Sequence, residues 1–163
     1  MYSDKNALPF FNSDNCDGDN FYYSTKEKMK SVLEFWKMSY KNKWFVRMSI
    51  EDRKISKVIG TIELCLRASD DEFNDMAILR VDVSSGYENE EVLKDLFSLI
   101  SPCISDLLGS KGIITKAPIY AIDRINALKQ LGYTKSCYAL KGKNNIMYYD
   151  YFVKRSELIY ETK

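Results

Sequence analysis

With 163 residues and 45% apolar side chains, the chain has the size of one domain and can bury a sizeable core. Its 24 Lys and Arg stand against 23 Asp and Glu, a balance that excludes a strong net field for gathering nucleic acid or an anionic membrane. Histidine is absent, which excludes Ser-His-Asp and Cys-His nucleophile systems and His-ligated metals, so acid–base chemistry falls to Asp, Glu, Tyr, Cys, Lys or water.

The first 23 residues mix Asn, Asp, Ser and Gly with aromatics without a strand or helix period, and are expected to form an irregular arm. Ser24 with Glu27 has the form of a capping box, and Met29, Val32, Leu33, Trp36 and Tyr40 recur at helical spacing, which predicts a helix over about 25–40. Trp44, Val46, Met48 and Ile50 alternate with Phe45, Arg47 and Ser49 as in a half-buried strand. The EDRKIS segment then turns the chain into KVIGTIELCL, giving an antiparallel hairpin. The acidic stretch from Ser69 to Asp75 is a second turn, whose Asp70, Asp71, Glu72 and Asp75 suit either a cationic amine or plain solvation.

Met76 to Val83, rich in aliphatic and β-branched residues, predicts a central strand. From about Glu88, Val92, Leu93, Leu96, Leu99, Ile100, Ile104 and Leu107 form an amphipathic helix ending at Gly109, which Pro102 should kink or divide. Ile113 to Thr115 reads as a short strand parallel to the central one, and Pro118 as the first turn of a helix closing at Leu131-Gly132. Tyr138 to Leu140 and Met147 to Val153 flank the turn Gly142-Lys143-Asn144-Asn145 as two strands of a hairpin. Tyr148, Tyr149 and Tyr151 read as packing and interface residues, which leaves a homodimer open.

The apolar runs, such as Met76 to Leu79, are far too short to span a bilayer, and the N-terminus lacks a basic segment followed by an apolar core. A cytoplasmic protein with no membrane and no nucleic-acid partner is expected. No GxGxxG or GxxxxGK[ST] occurs, which sets aside a Rossmann or P-loop nucleotide module.

Within this order of elements, VIGTIEL at Val58 to Leu64, ILRVDVSSGYENEEVLKDL at Ile78 to Leu96 and ALKQLGY at Ala127 to Tyr133 resemble the GNAT-type acyl-CoA N-acyltransferases. The resemblance spans about residues 24–154 and leaves the family's usual first strand without a counterpart in the arm. It implies an α/β (α+β) fold with a GNAT-like mixed, largely antiparallel sheet flanked by helices, as a single domain over residues 1–163 with residues 1–23 as the arm. It further implies acetyl-CoA (or CoA) as cofactor and a small-molecule or peptide amine as acceptor, with the pantetheine arm bordered by Asp82 and Val83.

The family's pyrophosphate loop is a Gln or Arg, two variable residues, Gly, one variable residue, then Gly or Ala, because bare amides at a helix N-terminus must approach the phosphates. Here the matching segment is Ser85, Tyr87, Glu88, Asn89, Glu90 and Glu91, with Glu88 at the basic position, and Glu91 and Leu93 at the two glycines. One carboxylate about 6 Å from one phosphate charge costs roughly 0.7 kcal/mol in water and roughly 3 at an effective dielectric of about 20. The same glutamates also stabilise a helix dipole. By that reasoning Glu88→Gln and Glu91→Gly should each strengthen cofactor binding. Arg124, with Lys116, either restores positive charge to the groove or decorates a solvated surface. The Tyr that commonly serves as general acid is replaced by Leu128, and Ala121 replaces an Asn often found near the helix start. Glu63, in the strand expected to face the acceptor cleft, is the candidate general base.

Two functions follow, an N-acetyltransferase acting on an amine and a non-catalytic GNAT-fold binding protein that has lost efficient acetyl-CoA use. Cys16, Cys65, Cys103 and Cys137 form no CxxC pair and no disulfide pattern. Thiol titration of the denatured, unreduced protein should therefore find all of its 4 cysteines free, and recovery of fewer would count against a reducing compartment.

Overall fold

The computed structural model describes residues 4, 6–8, 23, 25–142 and 145–156. Most of the arm, with Cys16, Ser24, Lys143 and Asn144, lies outside them. Helix α1 (Lys26–Lys41) starts at Thr25, whose Oγ1 accepts from the Lys28 amide at 3.1 Å, and so the cap falls one residue later than the expected Ser24. Strands β1 (Val46–Asp52) and β2 (Lys57–Leu66) form the expected antiparallel hairpin, with an irregularity between Ile50 and Glu51. Strand β3 (Ala77–Val83) pairs antiparallel with β2 in an unbroken register from Gly60↔Val83 to Leu66↔Ala77.

A single 3-10 turn over Ser85–Tyr87 leads into α2 (Glu90–Leu108). Pro102 does not divide this helix. Its ring and Ser98, whose carbonyl loses the i+4 donor, are both exposed, while Leu93, Phe97 and Ile104 are fully buried and hold the helix to the sheet. Strand β4 (Gly112–Lys116) runs parallel to β3. Pro118 opens a turn closed by the Ala121 amide on the Pro118 carbonyl at 2.8 Å, and α3 (Ile122–Gln130) begins only after it. Gly132, at φ 81, ends that helix as expected.

The expected strand from Met147 to Val153 is two strands. After β5 (Thr134–Lys135), which sequence reading did not separate, β6 (Leu140–Lys141) and β7 (Met147–Tyr148) make a small hairpin. The chain reverses at Asp150, φ 65, and β8 (Tyr151–Arg155) re-enters the main sheet. The described residues form a sheet in the order β1-β2-β3-β4-β8-β5, antiparallel except for β3 with β4. β3 is internal, as predicted. One face, carrying Ile62, Leu64, Leu79, Val81, Ile113 and Phe152, packs against α2 and α3. Across it the Tyr133 hydroxyl lies 2.7 Å from Ser101 Oγ, and burial pushes that phenol up to about 12. Among the described residues no helix is long and apolar enough to cross a membrane, and Cys103 and Cys137 are exposed free cysteines.

The acidic turn before β3 is a set of ion pairs. Asp70 faces Lys141, Glu72 faces Arg155 and Asp75 faces Lys111. Asp71 accepts from Arg67 and Ser69 and from the amides of Phe73 and Lys141, which fastens the β6–β7 hairpin to the sheet. Burial pushes the Asp71 carboxyl up, but Arg67, the Lys141 amide, Ser69 and the Phe73 amide outweigh it and hold the group well below its ordinary 3.8. A folded value below the unfolded one gives stability that is present above about pH 4 and is lost as pH falls toward the folded value. Asp71→Asn should cost about 2–3 kcal/mol at pH 7 by denaturant unfolding, and the gap to wild type should narrow below pH 4.

Candidate active site

Strand β3 pairs with β4 only through Ala77↔Ile113 and Ile78↔Ile114. Beyond Ile78 the strands part, so the β4-facing side of Leu79 to Val83 has no strand partner among the described residues. Each strand follows its other neighbour. A Cβ on Gly60 of β2 would meet the Asp82 carbonyl at 2.3 Å, and one on Gly112 would meet the Lys154 carbonyl of β8 at 2.6 Å, so only glycine permits either approach.

The turn closing this wedge is fastened from several sides. Ser84 donates its amide and hydroxyl to the Ile59 carbonyl at 2.8 and 3.0 Å. Tyr87 donates to Asp52 at 3.1 Å, and burial together with that carboxylate pushes its phenol up. Asn89 caps α2 by accepting from the Val92 amide at 3.1 Å. Ser85 donates its amide and hydroxyl to Asp4 at 2.7 and 2.8 Å. The amides of Glu90 and Glu91, which open α2, have no acceptor among the described residues.

Arg124 donates Nε and Nη2 to the two oxygens of Glu88, both at 2.7 Å, with the guanidinium 1% exposed and 5.8 Å from the Phe97 ring centroid. The Glu88 charge is thereby neutralised, and Arg124 is neither a solvated helix residue nor a spare cation for the groove. Glu90 accepts from Gln130 at 2.5 Å, and Glu91 is exposed. Of the three glutamates, Glu91 alone faces solvent without a partner among the described residues. Lys116 ends β4 with its ammonium 5.6 Å from the Tyr148 ring centroid, on the side of the β6–β7 hairpin.

On the sheet face opposite α2 and α3, the register sets Arg47, Glu63 and Arg80 side by side, with Asp82 next along β3 opposite Thr61. Glu63 is ion-paired with Arg47, whose guanidinium lies 4.6 Å from the Trp36 ring centroid of α1. Arg80 Nε lies 2.6 Å from Asp82 Oδ2. The Asp82 side chain is 3% exposed, yet its Oδ1 has no hydrogen-bond partner among the described residues. An orphaned buried carboxylate oxygen is uncommon and seeks a donor.

No protein-family model and no curated protein sequence matches the chain. Solved structures do. The ribosomal-protein-S5-alanine acetyltransferase from Vibrio fischeri superposes with a TM-score of 0.63 at 16% identity, over 84% of this chain and 74% of that one. The spermidine N-acetyltransferase from Vibrio cholerae in complex with CoA and spermine gives 0.55 at 12% identity, over 82% and 75%. A dodecameric structure of the latter enzyme gives 0.54 at 14%, over 82% and 73%. The chain has the GNAT fold. These identities establish the architecture alone.

Two features of this site fall outside the sequence expectation. The Asp4 contact with Ser85 joins residues 81 apart and carries no local signal. Asp82 was read for its backbone, although alternation along β3 already put its side chain on the face of Arg80 and Glu63. The Glu88–Arg124 pair replaces the repulsion argument at position 88. Glu88→Gln deprives a buried guanidinium of its carboxylate and should cost about 3 kcal/mol in denaturant unfolding. Arg124→Met alone strands the Glu88 carboxylate, and the double variant should lose clearly less than the two single losses added together.

Proposed function

We propose that the chain is an acetyl-CoA-dependent N-acetyltransferase acting on a small-molecule or peptide amine. The observation that carries this reading is the wedge between β3 and β4, where the β4-facing side of Leu79 to Val83 has no strand partner among the described residues and the amides at the start of α2 are open at its end. The chain's residues fit the cofactor. The backbone of Asp82 and Val83 would pair with the pantetheine arm, and the amides of Ser85, Glu90 and Glu91 would hold the pyrophosphate. That Ser85 already binds a carboxylate supports an anion site at this turn. Tyr87, Glu88, Asn89 and Arg124 act here by holding the turn, and Lys116 borders the wedge. Bound acetyl-CoA supplies the acetyl thioester.

The acceptor must lose a proton to attack. Glu63, the candidate from sequence, has its carboxylate engaged by Arg47, whereas Asp82 keeps one oxygen unpaired beside the wedge. Asp82 is therefore the better proton acceptor, with Arg80 fixing its orientation and Glu63 fixing Arg47. An orphaned carboxylate oxygen also favours a cationic amine, and the spermidine acetyltransferase neighbour was solved with spermine. That neighbour assembles as a dodecamer, and the exposed Phe35, Met38 and Trp44 around α1 support self-association here as well, starting with a homodimer. The cysteine spacing, with no CxxC pair, suits the reducing cytoplasm.

One observation favours the second reading, a non-catalytic GNAT-fold binding protein. Leu128, at the position of the family's usual general acid, is wholly buried in the core, so no side chain there can protonate the leaving thiolate. Calorimetry with acetyl-CoA and CoA, followed by acetyl transfer to spermidine, spermine and an alanine-started peptide, separates the two. Wild type should bind acetyl-CoA at micromolar dissociation constants or weaker, and Glu91→Gly should bind more tightly at low salt. Asp82→Asn should lower kcat about 100-fold with acetyl-CoA affinity within about twofold, and Glu63→Gln should cost less. Binding without transfer to any amine would establish the second reading. No binding at about 1 mM would remove the first reading.

A further inference from the structure

We propose that Asp4 is an internal competitor for the anion site at the β3–α2 turn, an autoinhibitory contact that a phosphate-bearing ligand must displace. This rests on the reading of that turn as a holder of the cofactor's pyrophosphate. Asp4 Oδ2 accepts from both the amide and the hydroxyl of Ser85, at 2.7 and 2.8 Å. The other oxygen accepts from the Asn6 amide at 3.0 Å, and the Ala7 amide donates to the Asp4 carbonyl at 3.2 Å. A short turn of the N-terminal segment thus presents one carboxylate oxygen to the loop. The Ser85 amide, its hydroxyl and the Asn6 amide hold the Asp4 carboxyl below its ordinary value, so it is charged at neutral pH.

Two anions cannot share one amide, so occupation by Asp4 and by a ligand phosphate is mutually exclusive. Among the described residues Asp4 holds the turn only by its two hydrogen bonds to Ser85, whereas a pyrophosphate brings several acceptor oxygens, for which the open Glu90 and Glu91 amides are the further donors this proposal requires. The ligand can therefore win, at an affinity lowered by the cost of displacing the carboxylate.

Acetyl-CoA and inorganic pyrophosphate are titrated into the full chain as wild type, Asp4→Asn and Asp4→Ala, with the Ser85 amide followed by 15N NMR. Asp4 sits at the surface of the N-terminal segment, and the variants are expected to fold. Asp4→Ala should bind both ligands about tenfold more tightly, with Asp4→Asn between it and wild type. Without ligand, the Ser85 amide resonance should move between wild type and Asp4→Ala. With saturating pyrophosphate, wild type and variant should give the same resonance. Equal or weaker binding by Asp4→Ala would overturn the competitor role while leaving the cofactor reading intact. Failure of wild type and both variants to bind either ligand would overturn both.

Discussion

Antiparallel pairing on either flank holds β3 and β4 apart, and everything proposed for this chain depends on that. β3 is bound to β2 along its whole length, and β4 to β8 along its whole length, whereas the parallel contact between β3 and β4 ends at Ile78↔Ile114. Sheet twist rotates each strand relative to the next, so two strands committed to opposite partners diverge once their shared hydrogen bonds stop. Gly60 and Gly112 set how closely each strand lies on its antiparallel partner, since any side chain at either site would collide with backbone. A substitution there would loosen the wedge from a distance, with no contact to any ligand.

Charge in this molecule is arranged locally, pair by pair. The acidic turn is saturated by Arg67, Lys111, Lys141 and Arg155, three of which arrive from later strands or loops, so it staples the hairpin and offers little to an incoming amine. Glu88 and Arg124 do the same between the β3–α2 turn and α3. A buried pair of this kind owes its persistence to mutual compensation, because either partner alone would carry the full cost of desolvation. Asp82 breaks the pattern, sharing one oxygen with Arg80 and leaving the other unmatched. That imbalance singles it out among the buried carboxylates.

The parts of the fold legible in sequence were those with a strong local period. KVIGTIELCL and the aliphatic run before Val83 alternate or saturate with β-formers, and both strands formed where expected. The turn at Tyr149-Asp150 went unread because no Gly or Pro marks it, and an Asp in the left-handed region reverses the chain instead. The local chemistry of Pro102 predicts a kink or a division, while core packing on the opposite face of α2 keeps the helix undivided. The site was half legible. Its segment could be aligned, but the partners of Glu88, Ser85 and Glu63 lie 36, 81 and 16 residues away, and no local pattern predicts pairings at such separation.

Departure from the GNAT loop pattern need not close an anion site if the substituted side chains point elsewhere. Leu93 at the second glycine position is fully buried in the core. Glu88 at the basic position turns to Arg124, and Glu90 to Gln130. Glu91 at the first glycine position is exposed. Glu88 and Glu90 thus each turn to a partner on α3, whereas Glu91 keeps its charge at the start of α2, and what is lost relative to the family pattern is attraction more than access. A backbone anion site without a basic side chain holds its ligand through amide hydrogen bonds and the helix dipole alone, and such a site is weak enough for a single carboxylate of the same chain to contest.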